Sequence, residues 1–71
     1  MARYFFHIEG EKPHRDEIGE DLPDDEAAWK AAMQLARDVE DNLRPGQTWR
    51  LDVRDRDKPV YLVAITTHRQ R

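Results

Sequence analysis

Three histidines and several clustered acids are the side chains in this sequence best suited to chemistry. His7, His14 and His68 could ligate a metal together with Asp16 or Glu9. If the N-terminal segment folds as a hairpin, His7 and His14 lie on neighbouring strands. Their spacing matches no metal motif, however, and imidazoles beside carboxylates are common without a metal. The paired acids Asp24-Asp25 and Glu20-Asp21 suggest general acid–base work, but that needs a desolvated pocket. Carboxylates ahead of a helix serve first as caps. The hydroxyl nucleophiles are Thr48, Thr66 and Thr67, none beside a recognisable base. Gly10, Gly19 and Gly46 are isolated, so no phosphate-cradling loop is present. The sequence contains no catalytic constellation and calls for no metal or cofactor.

A second grouping is basic. Arg50, Arg54, Arg56 and Lys58, with Phe5 and Tyr61, would suit an anion or a single-stranded nucleic acid if they shared a surface. The net charge of −3, the pI near 5.5 and the interleaved Asp52, Asp55 and Asp57 oppose this, because such affinity rests on phosphate neutralisation. The charge is unevenly spread: residues 1–23 sum to −3, residues 24–43 to −4 and residues 44–71 to +4. An acidic front and a basic back attract each other within one fold or across a dimer. Nucleic acid is therefore the lesser expectation.

The element that must position these groups is one long helix within Leu22 to Leu43. Asp24 is its start signal, and Asp25 and Glu26 place negative charge where the helix dipole favours it. Ala28, Ala32, Leu35, Val39 and Leu43 recur at spacings of three and four, a single apolar stripe with Leu35 near its centre. Trp29 and Met33 widen that stripe at its edge. Pro45 and Gly46 end the helix.

Strand patterns flank it. From Arg3 to Glu9, Tyr4, Phe6 and Ile8 share one face, and Arg3, Phe5, His7 and Glu9 the other. His14 to Ile18, closed by Gly19, reads as a short second strand. Thr48 to Arg54 alternates cleanly, with Trp49, Leu51 and Val53 inward. A hairpin over Asp55 to Pro59 leads to a last strand, Val60 to Thr67, apolar on both faces. The expected fold is α+β, in the order β-β-α-β-β: a four-stranded, mainly antiparallel sheet with the helix across one face. The expected spatial order is second, first, third, fourth, or the same with the last two exchanged.

Seventy-one residues make one small domain. Residues 68–71 read as a frayed tail. The chain has no cysteine, which removes disulfides and thiolate sites and fits a reducing compartment. The apolar run at the N-terminus is too short for a signal peptide or a membrane span. The expected location is the cytoplasm, without membrane attachment.

Arg3-Tyr4-Phe5-Phe6-His7, the segment Leu22-Pro23-Asp24 followed by Ala27-Ala28, and the late Val53-Arg54-Asp55 together resemble a family of short, uncharacterised bacterial proteins, a domain of unknown function. The likeness runs from Arg3 to about Ile65. Such proteins often carry a glycine in the late turn, where this chain has Lys58-Pro59. The resemblance supports the fold outline and implies no activity, cofactor or site.

One helix covers only one face of a four-stranded sheet. The other face receives Phe5 and one apolar set from the last strand: Tyr61, Val63 and Ile65, or Val60, Leu62 and Ala64, depending on register. The first set, with Phe5, is the expected self-association face. The simplest closed product is a homodimer, formed by stacking sheet faces or pairing edge strands. The expected function is a non-catalytic interaction or regulatory module that binds itself, with room for an unidentified protein partner. The alternative is an anion or nucleic-acid binder using the C-terminal hairpin.

Overall fold

The computed structural model describes residues 2–70. Four strands, β1 (Ala2–Glu9), β2 (Glu20–Leu22), β3 (Thr48–Arg54) and β4 (Pro59–Thr66), and one helix, α1 (Asp25–Glu40), follow in the order β1-β2-α1-β3-β4. The sheet is antiparallel throughout, in the order β2-β1-β3-β4, with α1 packed on one face: an α+β fold.

The helix begins where the sequence says it should. Asp24 is the extended N-cap, and its Oδ1 accepts from the Ala27 amide at 2.9 Å. Its end comes earlier than Pro45 requires. The Asn42 amide and side chain cap the carbonyls of Val39 and Asp38, so the helix closes after Glu40 and Leu43 packs from beyond it.

The buried line of α1 is Ala28, Ala32 and Ala36, whereas Leu35 is only half-buried. This corrects the expected centre of the stripe. Methyl side chains let the helix backbone settle close to the sheet, which pushes the larger Leu35, Met33 and Val39 to its flanks. Opposite that line lie Tyr4, Phe6, Trp49, Leu51 and Val53, completing the core.

The second strand is not His14 to Ile18. The structure places β2 at Glu20–Leu22, pairing Ala2 with Leu22 and Tyr4 with Glu20. His14 makes only an isolated bridge to Ile8, and Ile18 is 78% exposed. Between these two points a side chain replaces the ladder. Asp16 Oδ2 accepts from the Phe6 amide (3.2 Å), and its Oδ1 accepts from the Ile18 (3.1 Å) and Gly19 (2.9 Å) amides. Gly19 sits at φ +79°, and a Cβ there would lie 2.8 Å from Phe5 Cε1 and 3.0 Å from the Tyr4 carbonyl. Only glycine allows the chain to turn so tightly against β1.

The β3–β4 hairpin closes without a glycine. Asp55 Oδ1 accepts from the amides of Asp57 (2.8 Å) and Lys58 (2.9 Å), and the Asp55 amide donates to the Lys58 carbonyl. Just before this turn the pairing register shifts between Val53 and Arg54. Residues 68–70 form no regular element, and Arg71 of the expected tail lies outside the described residues.

Candidate functional site

The face of the sheet turned away from α1 collects most of the residues with chemical potential. β1 contributes Arg3, Phe5, His7 and Glu9, and β3 contributes Arg50, Asp52 and Arg54. The register sets Phe5 beside Arg54, His7 beside Asp52 and Glu9 beside Arg50. Arg50 pairs with Glu9 (3.6 Å), Arg54 with Asp52 (3.4 Å) and Arg3 with Asp21 (3.2 Å). The rings of Phe5 and His7 stack with centroids 6.5 Å apart and planes 11° from parallel.

Two of the four residues proposed for anion binding, Arg50 and Arg54, are thus engaged by carboxylates, while Arg56 and Lys58 sit in the hairpin turn. A shallow groove of about 430 Å³ brings Arg15, Arg54 and Arg56 beside Phe5 and His7. Asp16, Glu17 and Asp55 line it as well, so cations and anions balance there.

The histidines do not converge. His7 Nδ1 accepts from the Asp16 amide at 3.1 Å, which confines a neutral ring's proton to Nε2. His14 is bridged to Ile8 and so belongs to the opposite face from His7. Among the described residues no group of three His, Cys, Asp or Glu side chains could hold a metal ion.

The apolar residues of β4 divide by register. Tyr61, Val63 and Ile65 pair opposite Val53, Leu51 and Trp49, which places them on the helix side. The Tyr61 hydroxyl donates to the Asp25 carbonyl (3.1 Å), and its ring packs on Trp29 with centroids 5.1 Å apart. They do not share a face with Phe5, contrary to the expected grouping. Cross-strand pairing decides this, and an apolar pattern on both faces carries no information about it. Of the other set, Leu62 (60% exposed) and Ala64 point to the open face, while Val60, at the register shift, is half-buried against the core.

Two carboxyl groups and one phenol depart from their ordinary ionisation. Partial burial pushes Asp16 up, but the Gly19, Phe6 and Ile18 amides and the nearby His7 outweigh it and hold it below 3.8. The amides of Asp57 and Lys58 lower Asp55 in the same way. Tyr4 donates to Asp25 Oδ1 at 2.6 Å. That bond, burial and the charges of Asp25, Asp24 and Asp55 push the phenol up from 10.0 to about 12.

The signs fix the pH response. Stability contributed by Asp16 and Asp55 is present above pH 3.8 and lost as pH falls through their folded values. Stability contributed by Tyr4 is whole below pH 10 and lost as pH climbs toward about 12. Melting temperature measured against pH should therefore fall at both extremes. Tyr4→Phe should flatten the alkaline fall and leave the acid one unchanged; an unaltered alkaline limb would contradict the assignment.

Among the described residues no helix is long and apolar enough to cross a membrane. No curated protein and no solved structure matches the chain. A family model described as "Domain of unknown function (DUF6894)" matches residues 3–66, and the chain belongs to that family.

Proposed function

We propose that this chain is a small non-catalytic interaction module of the bacterial cytoplasm, acting as one folding unit and working as a homodimer. The observation that carries the reading is the uneven covering of the sheet. α1 shields one face, the middle of the other carries a ladder of ion pairs, and of the three exposed large apolar side chains two flank β4: Leu62 on the strand (60% exposed) and Trp29 of α1 packed on Tyr61 (41%), with Ile18 apart from them. A core of three alanines and five larger side chains leaves a 71-residue chain marginal on its own. Removing further apolar area from water contributes about 25 cal/mol per Å², less the cost of association.

The balanced charges around Phe5 and the arginines engaged by Glu9 and Asp52 favour a protein surface over a phosphate backbone. The lack of cysteine fits a reducing compartment, and the resemblance to short bacterial proteins supports that origin.

The test is the molar mass in solution, by light scattering after gel filtration across a dilution series. At tens of micromolar the expected mass is twice the 8.4 kDa of one chain, falling toward 8.4 kDa on dilution. A constant mass of 8.4 kDa would overturn the reading.

A further inference from the structure

The two edges of the sheet are treated differently. On one side β1 is covered along its length, and the strand left at that edge, β2, is only three residues long and carries Glu20 and Asp21. The short β2 pairs with Ala2 to Tyr4, the Asp16 carboxylate takes the Phe6 amide, and Ile8 and His14 exchange backbone hydrogen bonds at 2.8 and 2.9 Å. The β4 edge carries no such closure among the described residues, and its eight residues contain no charged side chain. Proline stands only at its first position, Pro59. Charges, prolines within the strand and covering loops are the usual devices that keep an edge from pairing.

The register shows which backbone groups that edge offers. The Thr67 amide donates to the Gln47 carbonyl at 3.2 Å, and Thr48 pairs with Thr66 next in the ladder. Bonded and non-bonded pairs alternate between antiparallel strands. Trp49–Ile65, Leu51–Val63 and Val53–Tyr61 are therefore the bonded pairs, and Leu62, Ala64 and Thr66 turn their N–H and C=O groups outward.

We infer that β4 pairs antiparallel with β4 of a second copy about a two-fold axis near Ala64, joining two sheets into one of eight strands. The inference rests on the self-association proposed above and supplies its geometry. A second copy fits this edge for three reasons. First, with Ala64 facing its symmetry mate, Leu62 pairs with Thr66 of the other copy, so the outward groups of one strand meet those of the other. Second, the strand has no charge, so the symmetry opposes no like charges.

Third, the ends are complementary. Tyr61 ties the start of β4 to the helix N-terminus, where Asp24, Asp25 and Glu26 gather, while His68 and Arg69 follow its end. Antiparallel pairing brings Arg69 of each copy toward the acidic helix start of the other, twice over. Trp29 on the helix side and Leu62 on the open side flank the same edge and would be covered together.

The experiment compares molar masses at tens of micromolar, with circular dichroism to verify folding. Ala64→Pro removes an outward N–H without touching the bonds to β3, and it should reduce the mass twofold while the fold persists. Leu62→Lys, which keeps the backbone intact, should do the same and decides the matter if the proline variant does not fold. Phe5→Glu, two strands away, should stay dimeric. If the unaltered chain is a dimer that survives Ala64→Pro and Leu62→Lys, or separates in Phe5→Glu, edge pairing is overturned while self-association stands. If the unaltered chain is a monomer, both fall, and the edge is left to an extended segment of another protein.

Discussion

Ala32→Asp should leave the chain unfolded at room temperature, whereas Leu35→Asp should leave a folded domain of lower melting temperature. Ala32 is wholly buried at the centre of the helix–sheet contact, and among the described residues no charged or polar side chain is buried that could pair with a carboxylate there. A carboxylate there must be desolvated without a partner, at a cost of several kcal/mol. A core of this size supplies only about 3–5 kcal/mol in total. Leu35 is half-buried at the flank of α1, where a carboxylate can turn toward water, and the expected loss is about 1–2 kcal/mol. Circular dichroism melts check both. Two variants of equal stability, or a more stable Ala32→Asp, would mean that the alanines do not face the sheet.

Asp16→Ala should lower the melting temperature by roughly 8–16 °C, from about 2 kcal/mol of lost hydrogen bonding in a domain of this length. One side chain accepts from three amides, those of Phe6, Ile18 and Gly19. Without it the part-buried Phe6 amide is left facing an open edge. Asp16→Asn keeps one acceptor oxygen and should fall between the parent and the alanine variant. The same substitution should flatten the acid side of the pH–stability profile, since the lowered Asp16 contributes there. A change of only a degree or two would show that the 10–19 segment is held by other means.

These two sites also mark where the sequence stops being legible. The cap at Asp24, the alternation from Thr48 to Arg54 and the inward Tyr4 and Phe6 follow from local rules, and the structure has them as expected. Local rules misjudged Leu35 because hydrophobicity ranks leucine above alanine, while close helix–sheet approach selects the smaller side chain. They misplaced β2 because alternation sees strands and not a carboxylate standing in for one. Asp16 carries no periodic signal, and the signal that could have found it is Gly19 three residues later, a turn partner for an aspartate.

The candidate site was legible in its members and not in its grouping. Phe5 and the arginines do share the open face, but nothing in the alternation of Val60 to Ile65 says which half of β4 joins them. That follows from pairing with β3 alone. The same pairing exposes the backbone of Leu62, Ala64 and Thr66, a feature with no counterpart in side-chain pattern.

Amide hydrogen exchange at those three residues in the unaltered protein tests the edge-to-edge dimer most directly. The expected result is slow exchange at Leu62, Ala64 and Thr66 at tens of micromolar, becoming fast on dilution while the amides of Tyr61, Val63 and Ile65 stay protected by β3. Fast exchange at Leu62, Ala64 and Thr66 at every concentration would contradict it.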